Sequence, residues 1–342
     1  MAAADWAARL GCSEHACALL TDADFLDLHV DIEVPARLYG YDPAIRHRRT
    51  RWPRVFFGHT DFPRLLEAGV TGVAYDVATN PFRRERSRQA VTLRNLDAAT
   101  TRIAAHPDAL ALVRDRAGYD AARREGKLAC FLTIQGGNGL AHDPSVLQGP
   151  HGQRLHRITL VHLTSSALGG TSSPLGVDRG LTPRGADFVE RCCDAGVLVD
   201  LAHAGRRTFW DALAVHRGDR PPIVSHTGVA GVYRHWRNLD DAQVRAIAER
   251  GGVVGIMYQS SFLRRCLLYA RRAAVLDHIE HVLRVGGEEV AAIGTDYDGM
   301  IVPPGDLPDV TDHPLLVQDM LDRGWSEARI RRVLGGNALR VV

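Results

Sequence analysis

The sequence predicts an α/β protein of the (β/α)8 TIM-barrel class. Apolar, β-branched runs alternate with amphipathic helical patterns along the whole chain, and eight such runs occur. Several of the helical patterns end at a glycine, as helices commonly do. The length of 342 residues suits one barrel with insertions. An open, doubly wound sheet is the alternative, but no dinucleotide-type glycine fingerprint follows the first strand.

The strand candidates are spaced so that one helical pattern fits between most neighbours, such as TPRGADFVERCCDAG or RAAVLDHIEHVLRVGG. We expect a single domain over residues 1–342. A long irregular excursion at 35–60 follows the first strand, and on a barrel it would lie on the catalytic rim. The candidates are residues 25–34, 69–79, 128–136, 157–163, 196–203, 221–227, 252–258 and 290–299.

The composition excludes several classes of function. The chain has 42 basic and 40 acidic residues, a net charge of +2, which argues against a nucleic-acid-binding protein with an unbalanced basic face. No apolar run reaches the length of a membrane helix, and the N-terminal segment lacks the basic start of a secretory signal. The six cysteines show no CxxC spacing. We therefore expect a cytoplasmic protein with free thiols that binds neither membranes nor nucleic acids.

Polar side chains occur at the carboxyl ends of the strand candidates, where barrel enzymes keep their chemistry. His29 and Asp31 end the first strand, and residues two apart on a strand point to the same side. Their convergence with further histidines and an aspartate would be costly without a bound cation. Nitrogen and oxygen ligands without a thiolate suit zinc best. The other candidates are His162, His203, His226 and Asp296.

Some polar residues near these strand ends have structural explanations. A lone His-x-Asp pair or a single strand-end histidine is usually a hydrogen-bonded core residue, so only the conjunction points to a metal. We expect Asp200 and Asp298 to orient histidines or loops. Asp76, at the end of the second strand, could belong to either class.

With these residues the sequence resembles the renal (membrane) dipeptidases, zinc metallopeptidases that carry two bridged metals on a (β/α)8 barrel. The resemblance extends almost from end to end, from DLHVDIEVP at 27–35 to GGNALRVV at 335–342. It is strongest in the ordered blocks at 180–213, 221–255 and 291–299.

The resemblance implies a ligand set for two zinc ions. His29, Asp31 and Asp296 would hold the first ion, and His203 and His226 would hold the second.

The resemblance also implies how a peptide would be bound and cleaved. His162 would contact the oxygen of the scissile group, Asp296 would handle the proton, and Arg237 would pair with the C-terminal carboxylate of the substrate. We also expect Tyr258, at the end of the seventh strand, to contact the substrate. A metal-activated water would cleave the amide bond of a dipeptide or a dipeptide-like conjugate.

Gln135 departs from the family pattern, in which a glutamate at the end of the third strand bridges the metals. An amide carries no net charge and presents one oxygen, so we expect the second metal to bind weakly or not at all. Gln135 remains a candidate ligand. The alternatives are a retuned mononuclear enzyme that performs a non-peptidase step on an amino-acid-derived metabolite, and a catalytically weak binding homologue. Pairing into a homodimer is a further family expectation.

Overall fold

A computed structural model describes residues 3–48 and 55–342, and within these ranges it contains nine strands and fifteen α-helices. The strands are β1 Leu26–Val30, β2 Gly72–Ala78, β3 Leu110–Val113, β4 Leu128–Gln135, β5 Arg157–Thr159, β6 Leu198–Asp200, β7 Val224–Thr227, β8 Val254–Ile256 and β9 Ala291–Ile293. The helices are α1 Ala3–Leu10, α2 Glu14–Asp22, α3 Glu33–Tyr39, α4 Phe62–Glu67, α5 Glu85–Ala104, α6 Arg116–Arg124, α7 Pro150–Arg154, α8 Pro183–Asp194, α9 Arg206–Val215, α10 Asp241–Glu249, α11 Ser260–Leu263, α12 Arg272–Gly286, α13 His313–Asp322, α14 Glu327–Arg331 and α15 Asn337–Arg340.

Eight of the strands close into a parallel barrel. β1, β2, β4, β5 and β6 form one sheet in that order, and β7, β8 and β9 form a second. The two sheets are joined at both edges by parallel bridges, Asp200 to Ile223 and Val30 to Tyr297. These eight strands coincide with the eight strand candidates of the sequence, so the barrel prediction is confirmed. The carboxyl ends of all eight strands consequently open at the same rim.

β3 is the strand that the sequence analysis missed. It pairs with the first half of β4, from Leu110 opposite Leu128 to Val113 opposite Phe131. It has only four residues, and Leu112 is 36% exposed, so its pattern does not stand out from the end of the preceding helix. Because it lies beside the ring and not in it, β3 leaves the closure of the barrel unchanged.

The described parts of the excursion at 35–60 lie at the same rim as the strand ends. Its first residues belong to α3, and residues 49–54 fall outside the described part of the chain. At its far end, the backbone N–H groups of Gly58, His59 and Thr60 all donate to the carboxylate of Asp298, just after β9. Asp298 therefore anchors a loop, as the sequence analysis expected.

None of the helices in the described ranges combines the length and apolar character needed to cross a membrane.

Candidate functional site

The carboxyl ends of β1 and β9 bring together the first part of the site, which we call the carboxylate half: His29, Asp31 and Asp296. His29 Nε2 lies 3.2 Å from Asp31 Oδ2 and 3.7 Å from Asp296 Oδ1. All three side chains are buried. The predicted cluster of one imidazole and two carboxylates is therefore present at the rim.

The second part, the histidine half, consists of His203 after β6 and His226 on β7. Their Nε2 atoms are 2.9 Å apart. Gln135, at the end of β4, lies between the halves, with its Nε2 atom 3.2 Å from His29 Nε2 and 3.3 Å from His203 Nε2. The amide group thus stands between the halves, and a 180° rotation of the amide would turn its oxygen toward the same atoms.

His226 is held from behind by a short relay of hydrogen bonds. Ser225 Oγ donates to Asp200 Oδ2 at 2.6 Å and lies 2.8 Å from His226 Nδ1. Since the serine proton goes to the carboxylate, Nδ1–H of His226 donates to Ser225 Oγ, and its Nε2 keeps a free lone pair. Asp200 therefore orients a histidine, as the sequence analysis expected, and Ser225 is the link that it did not identify.

His29 is held from behind by a cation. The guanidinium of Arg157, from the first residue of β5, lies across the barrel interior, with Nη2 3.0 Å from His29 Nδ1 and Nη1 2.7 Å from the Leu28 carbonyl. Arg157 also pairs with Asp76 at 3.3 Å and with Asp200 at 3.2 Å. Asp76 is thus an ion-pair partner of Arg157 and lies 3.9 Å from His29 Nδ1. Sequence reasoning missed Arg157 because an arginine that opens a strand resembles a surface residue.

The two carboxylates of the carboxylate half have opposite electrostatic behaviour. Burial raises the pKa of Asp296 well above its ordinary range and, although the charge of His29 opposes this, the negative charge of Asp31 adds to the rise. Burial acts on Asp31 in the same direction, but the positive charge and hydrogen bond of His29 outweigh it and lower the Asp31 pKa. Two carboxylates this close favour a shared proton or a bound cation.

The histidine half is electrically neutral. Burial lowers the pKa of His203 well below its ordinary value, and the charge of Arg237 adds to the effect. Burial lowers the pKa of His226 in the same way, helped by the charge of His29. Neutral imidazole is the form of histidine that binds metals.

The backbone at the site is strained. His203 has φ 64° and Asp296 has φ 62°, a left-handed conformation that side chains other than glycine seldom adopt. Such strain is concentrated at functional sites, where the surrounding structure enforces it. Gly299 lies against Asp296 and Asp31 so closely that a Cβ atom there would collide with both carboxylates. The chain therefore keeps space directly beside the two carboxylates.

The residues present fit a divalent cation. One ligand atom each from His29, His226 and Asp296 lie within 4.8 Å of one another, and all three residues are buried. Within the described part of the chain, buried Asp31 Oδ1 has no hydrogen-bond partner. Buried polar atoms of this kind are normally paired, and nitrogen and oxygen donors are the ligands of zinc and similar ions.

His162 and Arg237 border this cluster. The ring of His162 lies 4.7 Å from that of His203, edge to face. Arg237 Nη2 donates to the His226 carbonyl at 2.7 Å, whereas its buried Nε has no hydrogen-bond partner within the described residues. Both side chains line the same cavity above the cluster, so both can reach a ligand bound there.

Tyr258 is not brought to the cavity. It is fully buried, with its hydroxyl 3.2 Å from His313 Nε2 and its ring edge to face with Tyr297. The adjacent Met257, which directly follows β8, lines the cavity instead. The expected substrate contact of Tyr258 is corrected to packing behind the barrel wall.

Comparisons with known proteins agree with this geometry. Mouse (Mus musculus) dipeptidase 3 is 29% identical over 334 residues, which cover 96% of this chain and 66% of the relative, so the chain spans just under two thirds of that protein.

Two solved structures share the fold. The probable dipeptidase PvdM from Pseudomonas aeruginosa superposes with a TM-score of 0.84 at 18% identity, covering 96% of each chain. A metallopeptidase from Rhodobacter sphaeroides, liganded with a phosphinate mimic of L-Ala-D-Ala, superposes with a TM-score of 0.83 at 23% identity, covering 94% of this chain and 99% of the other.

The family model of the membrane dipeptidases matches residues 13–342, nearly the whole chain. That match includes every strand of the barrel and every residue of the two halves. The chain therefore belongs to the membrane dipeptidase family, peptidase family M19.

Proposed function

We propose that this protein is a metal-dependent hydrolase that cleaves the amide bond of a dipeptide or a dipeptide-like conjugate. The observation that carries the proposal is the buried group of His29, His226 and Asp296, whose ligand atoms lie within 4.8 Å of one another. Membership of the membrane dipeptidase family supports the same reaction class.

The metal that suits this set of donors is zinc. His29, Asp31 and Asp296 would hold one ion, with His226 in reach, while His203 and Gln135 would complete a second, weaker site. A cation of this type, when bound, lowers the pKa of water and polarises a carbonyl group. Since Gln135 supplies no negative charge between the halves, we propose one tightly bound ion per chain.

The residues around the cluster would divide the remaining work. Asp296, whose Oδ1 lies 3.7 Å from His29 Nε2, would take a proton from water and pass it to the leaving amine. His162 would donate to the carbonyl oxygen of the scissile bond as negative charge develops on it. Arg237 would bind the C-terminal carboxylate and so fix the register of the peptide.

We also propose that the protein works in the cytoplasm. All six cysteines are free, although Cys12 Sγ and Cys17 Sγ lie only 3.7 Å apart. Thiols this close stay reduced in a compartment such as the cytoplasm.

Hydrolysis of a dipeptide panel by the purified protein, before and after removal of metal by a chelator, tests the proposed function. We expect hydrolysis that is lost on chelation and returns when zinc is added. An Arg237→Gln variant should raise KM more than it lowers kcat, because its partner is the substrate carboxylate. Absence of hydrolysis across the panel by zinc-loaded protein would overturn the proposal.

A further inference from the structure

The two halves form the floor of a large cavity at the rim of the barrel. The cavity encloses about 870 Å³, and Asp31, Gln135, His162, His203 and Asp296 all line it. Pockets for drug-sized ligands span roughly 300–1,000 Å³. The cavity therefore lies toward the upper end of that range.

The walls above this floor are largely apolar. Side chains that would be costly to leave in water are exposed there: Phe82 is 72% exposed, Met300 62%, Leu38 61% and Trp236 42%. Leu38 lies on α3, the other three lie on loops, and all four line the same cavity. A group of exposed large apolar side chains around a cleft marks a surface that binds an apolar ligand.

Most polar groups in the walls are already engaged. Arg37 donates to the carbonyls of Glu33 and Ala78, and Gln259 bonds to Val302 N and Ser261 Oγ. Asn80 accepts a hydrogen bond from the Phe82 backbone N–H. Arg83 is exposed at the mouth of the cavity. The walls thus present mainly carbon to a ligand.

A second, smaller cavity of about 410 Å³ meets the first at His203, Trp236 and Arg237. Its remaining lining is rich in polar groups, including Arg206 and Arg234. Arg237 therefore stands at the boundary between a polar space and an apolar one. If Arg237 binds the C-terminal carboxylate of the ligand, the part of the ligand remote from that carboxylate would lie in the larger, apolar cavity.

We infer that the substrate carries a bulky apolar group, aromatic or branched aliphatic, on the residue remote from its C-terminal carboxylate. This inference rests on the proposed function. The floor binds the amide and the carboxylate, and the walls at Leu38 and Phe82 select the apolar group. Discrimination by a hydrophobic pocket amounts to roughly 10–200-fold per methylene group, so the preference is large enough to measure.

The test compares kcat/KM of the zinc-loaded protein for phenylalanyl-alanine, alanyl-alanine and alanyl-phenylalanine. We expect the first to exceed both others by at least about tenfold. Phe82→Ser and Leu38→Ser should remove most of that advantage, because they should lower kcat/KM for phenylalanyl-alanine much more than for alanyl-alanine. Both side chains are exposed, so the variants should fold. Leu267→Ser, at a fully exposed leucine outside both cavities, is the matched control.

A second measurement separates binding from turnover. Calorimetric titration of metal-free protein with phenylalanyl-alanine should show binding that Phe82→Ser weakens about tenfold and Leu267→Ser does not. Equal kcat/KM for all three peptides, or a preference for alanyl-phenylalanine, would overturn the inference while the proposed function stands. Hydrolysis of none of them would overturn the proposed function, and the inference with it.

Discussion

The two halves of the polar floor differ in what lies in front of each imidazole and what lies behind it. His29 has two carboxylates in front and the cation of Arg157 behind. His226 has His203 Nε2 2.9 Å from its own Nε2 and the ring of His29 stacked on it at 3.9 Å, and it has the serine–aspartate relay behind. Negative charge that can face a metal is thus concentrated in the carboxylate half. Affinity for a cation therefore depends mainly on the carboxylate half, and His226 contributes to it.

Removal of a charge from the carboxylate half should have the largest effect on activity and zinc content. Asp296→Asn should lower kcat by more than about 100-fold and should reduce the zinc content. Loss of a residue that only hydrogen-bonds to a metal ligand costs less, about 10–100-fold. Steady-state kinetics with metal analysis measures both. Asp277→Asn, at an exposed aspartate on α12 that pairs with Arg323, is the control. Retention of full zinc content and activity by Asp296→Asn would show that the carboxylate half is not the principal site.

The cation behind His29 provides a second test, this time of stability. Arg157→Met leaves the buried carboxylates of Asp76 and Asp200 without their ion-pair partner, so unfolding should become easier by about 3–5 kcal/mol. Urea denaturation measures the change. Arg217→Met, which breaks an exposed pair with Glu190, should cost less than about 1 kcal/mol. Equal effects of the two substitutions would mean that Arg157 does not hold the barrel interior together.

The relay behind His226 should give the smallest effect. Ser225→Ala removes the group between His226 Nδ1 and Asp200, so zinc affinity should fall about tenfold or somewhat more. Competition with a chromogenic chelator measures the affinity. Ser87→Ala, which removes an exposed hydroxyl on α5, should have no effect. Unchanged zinc affinity in Ser225→Ala would mean that the histidine half takes no part in binding.

The sequence predicts the barrel well because its strands are apolar runs that alternate with helical patterns. This alternation can be recognised without knowing which segments contact one another. The same logic predicts that His29, Asp31 and His226 lie near one another, since the carboxyl ends of parallel strands meet at one rim, and the structure has them there. The resemblance to the dipeptidases adds Arg237.

What the sequence does not predict depends on contacts between distant segments. The role of Arg157 becomes visible only in the folded chain, where β1, β2 and β6 bring His29, Asp76 and Asp200 around its guanidinium. The direction of Tyr258, two residues after β8, depends on its contacts with His313 and Tyr297, which lie far away in the sequence. Apart from Leu38 on α3, the apolar wall residues Phe82, Trp236 and Met300 lie on loops, whose paths no periodicity fixes.

The most direct test of the central claim is the amount of zinc per chain in untreated protein and in a Gln135→Glu variant. The neutral amide between the halves predicts about one zinc ion in the native protein, and the restored carboxylate predicts about two. Two tightly bound ions in the native protein, or none in either form after zinc is supplied, would contradict the account.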